Sequence, residues 1–443
     1  MRTVSEQTDP VPAPRWLRGP WRYVMALIGL ALFFTPGVAR LVGVYPTAVE
    51  NRPLVAFPSL SQGFHVFPDL TQWSIDHLPL RNLAIKADAR ISQSLFSEPP
   101  SYTANGAPVG LGQSGALQGG RAGNATVSGL ANQIIPGRNG WLFLGDEFTA
   151  ACDPELSIAQ VTSGLRRLNQ IITASGRKLV ILIPPDKDTV DGRFLPSAFV
   201  DKTCALSRKA RLWSALGSLG VPSFINLLPR LKDEEKSTGK PAYLPIDSHW
   251  TERSAAKVFV PSILNPLSPS LYRSARVTPT GPQPYTGDLS VLEGTPKTAT
   301  ETGWNVTRPG VTPGRSTVTN PIPNFPISHY TNVSRPGVPL VRGPALIYGD
   351  SFTERSLGII APFFADLTRI PEISRAAVDG PEARAAAISM LTQQIKAANV
   401  VIVEQTERII ASSSSGSILA PDVLDAIQKA LASAPRGHGL TVH

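Results

Sequence analysis

Three runs, Leu179-Val180-Ile181-Leu182-Ile183, Ala345-Leu346-Ile347-Tyr348 and Val400-Val401-Ile402-Val403, are apolar at every position. A strand with one wet face alternates apolar and polar residues, so uninterrupted runs predict strands covered on both faces, as in a parallel sheet between helical layers. Helical patterns stand beside them. Leu156, Val161, Leu165, Leu168 and Ile172 recur at helical spacing up to Gly176, a second pattern spans about 205–219 and leads into the apolar stretch 221–228, a third lies near 385–398 and a closing one near 421–431. The predicted fold is α/β, a parallel sheet flanked by helices. Such sheets bind ligands beyond the carboxyl ends of their strands. The residues after the runs therefore matter most: Asp186 and Lys187 after the first, Gly349-Asp350-Ser351-Phe352 after the second and Glu404 after the third.

The chain before this domain has a different character. Residues 23–44 are apolar apart from a Thr-Pro-Gly break and Arg40, and Arg15, Arg18 and Arg22 precede them. Two readings fit: an uncleaved transmembrane anchor with residues 1–22 in the cytoplasm, or a signal peptide cut after Gly37-Val38-Ala39. Both place the body of the chain outside the cytoplasm, in the first case as a single-pass inner-membrane protein. A membrane-proximal segment, 45–97, contains helical spacing from Leu80 to Leu95. Residues 98–134 are rich in Gly, Ala, Ser and Asn and read as a flexible insertion. The catalytic domain is expected over 135–435, opened by a hairpin turn at Asn139-Gly140, with a short tail at 436–443. Within it, 268–343 is dominated by Pro, Thr, Gly and Ser and predicts irregular loops and short hairpins.

Charge narrows the partners only a little. The net charge is +9 over 443 residues, without a block of consecutive basic residues, which speaks against nucleic acid while leaving an anionic polymer or lipid headgroups open. The two cysteines, Cys152 and Cys204, lack the spacing of a zinc site, so no metal is expected. They can form a disulfide outside the cytoplasm or remain two buried thiols.

Ser351 is the candidate nucleophile, because a strand that turns directly into a helix, here a helical pattern from Phe352 to about Leu367, exposes the turn residue at the sheet edge. Alone it is better explained as part of a helix cap. Asp247-Ser248-His249-Trp250 supplies what a serine needs: a histidine to take its proton, and a carboxylate two residues away to hold Nδ1–H and fix the tautomer. Of the other histidines, His65 and His77 lack such a partner, His438 and His443 fall in the expected tail, and His329 is a distant second choice. Asp186, Lys187 and Glu404 are candidate substrate-binding or supporting residues, or else solvent-exposed charges at strand ends.

The order of these motifs resembles a known family. Gly137-Arg138-Asn139-Gly140-Trp141-Leu142-Phe143-Leu144, Pro185-Asp186-Lys187 with Leu195-Pro196, Asp247-Ser248-His249-Trp250-Thr251, Gly349-Asp350-Ser351-Phe352, and Val403-Glu404 with Glu407-Arg408 follow one another as in the AlgJ/AlgX type of SGNH-hydrolase-like polysaccharide O-acetyltransferases. Glu50-Asn51-Arg52 and Leu80-Arg81 are similar to that family too. Ser248 stands where the family often has Thr, and Asn139 where it often has Asp. The short chain after Arg408, with no appended carbohydrate-binding module, is more like AlgJ.

The resemblance implies a periplasmic enzyme of a Gram-negative envelope that needs no cofactor and moves acetyl groups onto an exported polysaccharide. Ser351 would be acetylated, His249 would be the base and Asp247 its orienter. The implied partners are the polysaccharide acceptor, the inner membrane and a membrane-bound MBOAT-type acyltransferase that brings the acetyl group. A carbohydrate esterase with the same triad, and a non-catalytic scaffold of an export complex, are the alternative readings.

Overall fold

The computed structural model describes residues 134–443 except 200, 294, 319–321, 323–324, 375–379, 412–415, 438–439 and 443, together with Trp73 and scattered helical positions between 23 and 41. The expectations for 1–22, 45–97 and 98–133 lie largely or wholly outside these residues. Among the described residues, no helix is long and apolar enough to cross a membrane.

The domain opens with a hairpin, β1 (Ile134–Pro136) against β2 (Leu142–Leu144). Asn139 and Gly140 make its turn with φ of 57° and 77°, the left-handed values that Asn-Gly adopts readily. The main sheet has eight strands. β3 (Lys178–Leu182), β13 (Val400–Glu404), β11 (Val341–Gly349) and β12 (Phe364–Pro371) lie side by side and parallel, with β4 (Phe224–Ile225) parallel outside β3. On the far side β9 (Ile327–Thr331) runs antiparallel to β12, and β8 (Arg315–Val318) antiparallel to β9. A two-residue β14 (Thr441–Val442) pairs with the start of β11.

The sheet is thus mixed rather than parallel throughout. Its centre is parallel because helical crossovers connect those strands, whereas β8 and β9 form a hairpin that extends one edge. Alternate residues of the apolar runs serve two cores. Val180, Leu182, Ala345, Ile347, Val400 and Ile402 pack towards the segment 252–264. Leu179, Ile181, Leu346, Tyr348, Val401 and Val403 pack against the helices Ile158–Ala174, Pro381–Ala397 and Pro421–Ala432. Cys152 and Cys204 form a disulfide between the helices Asp146–Cys152 and Lys202–Gly217.

Two further expectations are corrected. The helix after Ser351 ends at Ile360 instead of continuing to about 367, and residues 364–371 form the central strand β12. Pro362 removes a helical donor and ends the helix, while the spacing of Phe364 and Leu367 mimics a helical stripe. The Pro/Thr-rich segment is also more regular than its composition suggests. β5 (Arg276–Thr286) and β6 (Thr298–Thr307) form a long antiparallel ribbon with a register shift between Pro279 and Pro282. Threonine favours extended backbone, and a two-stranded ribbon has only edge strands, where proline is tolerated. β7 (Val311–Thr312) and β10 (Val333–Ser334) make a second small pair.

Candidate active site

Gly349 ends β11 and Ser351 begins the helix Ser351–Ile360. Asp350 caps that helix, one carboxylate oxygen accepting from Phe352 N at 2.9 Å and the other from Thr406 N at 2.8 Å. The turn is tight. A Cβ on Gly349 would lie 2.4 Å from Thr353 Oγ1 and 2.8 Å from Glu404 Oε2, so only glycine fits without displacement. Glu404, fully buried at the end of β13, accepts from Asp350 N at 3.1 Å and Thr353 Oγ1 at 2.6 Å. Burial, reinforced by the neighbouring Asp350 charge, pushes its pKa well above the usual carboxylate range. Glu404 is a strut beneath the turn rather than a group facing substrate.

His249 arrives from a loop closed by the bridge between Tyr243 and Trp250. Its Nε2 is 2.8 Å from Ser351 Oγ and its Nδ1 is 2.8 Å from Asp247 Oδ1. The ring leans on Phe352, the residue after the serine, with centroids 4.8 Å apart. With Nδ1–H directed at the carboxylate, Nε2 is left to accept the serine proton. Asp247, His249 and Ser351 therefore form one hydrogen-bonded line, joining segments 102 residues apart in the chain.

Asp247 is heavily engaged. It accepts from His249 N at 2.9 Å, from Arg355 Nη1 and Nη2 at 2.7 and 3.1 Å, and from Asp288 N at 3.3 Å. Burial alone would raise its pKa, but the His249 hydrogen bond and the Arg355 charge outweigh burial and hold it below the ordinary carboxylate range. Burial works against protonation of His249, yet the hydrogen bonds to Asp247 and Asp288 prevail over burial and the Arg355 charge, leaving its pKa raised.

Lys187 fixes the loop from below. Its fully buried ammonium donates to three carbonyls, Leu142 O at 2.7 Å, Pro245 O at 2.8 Å and Asp247 O at 3.0 Å. Burial brings its pKa down to about 8 despite nearby carboxylates. Asp186 sits in a separate buried cluster, its oxygens taken by Lys209 Nζ at 3.0 Å and Arg408 Nη1 at 3.1 Å. None of Asp186, Lys187 and Glu404 is a solvent-exposed strand-end charge, since all three have zero exposure. They support the strand ends. His329 pairs with Asp366 at 2.8 Å on the β9/β12 side of the sheet.

Two contributors escape a reading by motif. Arg355 lies four residues after Ser351, on the same helix face, a signal that the spacing contains. Asp288 belongs to the helix Asp288–Leu292 within the ribbon insertion, and only the close approach of Gly287 to the His249 loop explains its place. Asp247, His249 and Asp288 offer ligand atoms within 4.8 Å of one another. As a metal site this set fits poorly, because a guanidinium already spans both oxygens of Asp247 and would repel a second cation.

A family profile described as "SGNH hydrolase-like domain, acetyltransferase AlgX" matches residues 134–319. No curated protein matches the sequence significantly. Among solved structures, the O-acetyltransferase domain of Pseudomonas putida AlgJ is 18% identical, covering 67% of this chain and 98% of that chain with a TM-score of 0.38. Bacillus cereus PatB1 is 13% identical, with 63% and 97% covered and a TM-score of 0.40. Pseudomonas aeruginosa AlgX is 14% identical, with 67% of each chain covered and a TM-score of 0.41.

Proposed function

We propose that this chain, which belongs through residues 134–319 to the AlgX-type family of SGNH hydrolase-like acetyltransferase domains, transfers acetyl groups through Ser351 to hydroxyls of an exported cell-envelope polysaccharide. The observation that carries the proposal is the contact between His249 Nε2 and Ser351 Oγ at 2.8 Å, with Asp247 at 2.8 Å behind the ring. A serine needs an adjacent base to act as a nucleophile, and the base needs an orienting group.

The steps follow from this line. Ser351 Oγ bonds to the acetyl carbonyl carbon of the donor as its proton passes to Nε2. The carbonyl oxygen gathers negative charge near the Ser351 N–H, one of the unpaired donors at a helix start. The bond to the donor's leaving oxygen then breaks, and that oxygen takes the proton from Nε2, leaving acetyl-Ser351. A sugar hydroxyl gives its proton to Nε2 and attacks the acetyl carbon; the Ser351 Oγ bond breaks, the proton returns to Oγ, and the acetylated sugar leaves.

The apolar positions Tyr23, Leu27, Leu30, Phe34, Val38 and Leu41 are helical and exposed, which supports a membrane anchor, and the arginines before them would leave the domain in the periplasm. There the acetyl group would come through an MBOAT-type partner. The test incubates the purified chain with p-nitrophenyl acetate, with and without the polysaccharide. Acetate should appear on the polymer, and Ser351→Ala should abolish its appearance while leaving the protein folded. Acetate released only into solution would make the protein an esterase, and an absence of acetyl-Ser351 would leave it a scaffold.

A further inference from the structure

We infer that Asp288, delivered by the β5–β6 ribbon, is a second orienting carboxylate of His249, a positioning residue that acts with Asp247 on the same ring nitrogen. The inference rests on the acyl-transfer reading above. Asp288 Oδ2 lies 3.2 Å from His249 Nδ1. The same carboxylate is tied to the residue between the two triad members. Ser248 N donates to Oδ1 at 2.6 Å, Ser248 Oγ donates to Oδ2, and that hydroxyl oxygen is itself 3.2 Å from Nδ1. Asp288 also returns a bond to the first orienter, its own N–H donating to Asp247 Oδ2 at 3.3 Å.

The ribbon is held against the loop closely enough to make this arrangement a built one. A Cβ on Gly287 would fall 2.0 Å from Ile246 O, so the backbones meet where only glycine allows it. Ser290 N donates to Ile246 O at 3.3 Å, and fully buried Leu289 packs with Ile134, Leu142 and Ile246. Ser248, which lies outside the Asp-x-His pair proper, gains a role as the clip that carries Asp288 to the ring.

Two carboxylates converging on one N–H repel each other unless positive charge lies between or beside them. Here the Arg355 guanidinium covers Asp247 on one side, and the imidazolium itself supplies the second positive charge once Ser351 has given up its proton. The second carboxylate therefore favours the state formed during attack over the resting state. The other charged or titratable groups facing His249 and its orienters are Lys187, whose ammonium holds Asp247 O, and Glu301 and Tyr285 of the ribbon, which interact electrostatically with Asp247 and Arg355. Asp288 is the one of these, besides Asp247, that reaches Nδ1.

The test follows labelling of Ser351 by a fluorophosphonate across pH on the purified full chain. In the wild-type protein the rate falls on the acid side as His249 becomes protonated. Asp288→Asn is expected to move that limb down by about one pH unit, because a nearby negative charge favours imidazolium, and to lower the plateau rate several-fold. Asp288→Glu should restore part of the shift. Ser248→Ala, which unclips Asp288 without changing charge, should move the limb in the same direction by less, and it carries the test if Asp288→Asn does not fold. A labelled, folded Asp288→Asn or Ser248→Ala variant with an unmoved limb would overturn the inference alone. An unlabelled Ser351 in the wild-type protein would overturn the acyl-transfer reading and this inference with it.

Discussion

Replacing Lys187 by Met keeps the length and most of the volume of the side chain but removes the donor that three carbonyls share. The fall of its pKa from 10.5 to about 8 means that the site, with burial outweighing the nearby carboxylates, disfavours the charged amine by a net of about 3 kcal/mol relative to water. The charge is thus a cost, and what Lys187 contributes is geometry: Leu142 O, Pro245 O and Asp247 O converge on one point. Each carbonyl left without a donor costs roughly 1–3 kcal/mol. Offset by relief of the buried charge, the net loss should be about 3 kcal/mol. Urea unfolding at pH 7 measures it. The rate of Ser351 labelling should fall more than stability does, because two of the carbonyls flank the Asp247 turn. Lys187→Arg should not rescue, since a planar fork does not serve three converging acceptors in that space.

The pH dependence has a definite sign. Between about pH 8 and pH 10.4 the unfolded chain holds a proton on Lys187 that the folded chain lacks, so this group adds stability as pH rises. Lys187→Met loses that gradient. The difference between wild type and variant should therefore widen by about 3 kcal/mol across the window. A variant with unchanged stability and an unchanged labelling rate would refute the argument that Lys187 holds the loop.

Other perturbations test other parts of the site. Arg355→Leu should raise the pKa of Asp247; because a depressed carboxylate stabilises the fold above its unfolded pKa and loses that contribution on acidification, the variant should lose part of this high-pH advantage, read as a smaller stability difference between pH 7 and pH 2 in urea titrations. The Arg355 side chain is 44% exposed, so the stability change should stay near 1 kcal/mol, while labelling of Ser351 falls by about tenfold or more. Glu404→Gln should fold and label nearly normally at pH 6. The raised pKa of Glu404 makes wild-type stability decline as pH rises from the ordinary carboxylate range towards its folded value, and the variant should show a flatter profile in the same titration. Gly349→Ala should cost about 1–3 kcal/mol through overpacking against Thr353 and Glu404, with a lower melting temperature and slower labelling.

Much of the sheet was legible because its strands are short, fully apolar and flanked by periodic helices. Leu179–Ile183 and Val400–Val403 admit few other interpretations, and the residues following them fall at one sheet edge, as the topology of such sheets requires. The union of Asp247, His249 and Ser351 was legible only as a hypothesis, since nothing local brings together segments that meet through tertiary packing. β12 was hidden because Phe364 and Leu367 share a spacing with helical stripes. The ribbon was hidden because Pro and Thr together read as loop, although in a two-stranded element their extended preferences agree. Asp288 was invisible for the same reason: its importance comes from where the ribbon lies, and its own neighbours in sequence carry no chemical signature.

The division of labour between sheet and insertion has a thermodynamic consequence. Ser351 is held by β11, β13 and the helix that follows, and the His249 loop is buried with them, whereas Asp288 is carried by a ribbon outside the main sheet whose strand β5 is largely exposed. Peripheral elements of this kind open in local steps that cost less than global unfolding. Competence and foldedness are then separate quantities: warming should slow the serine while the sheet is still intact, and amide hydrogens along 276–286 and 298–307 should exchange ahead of those in β11 and β13.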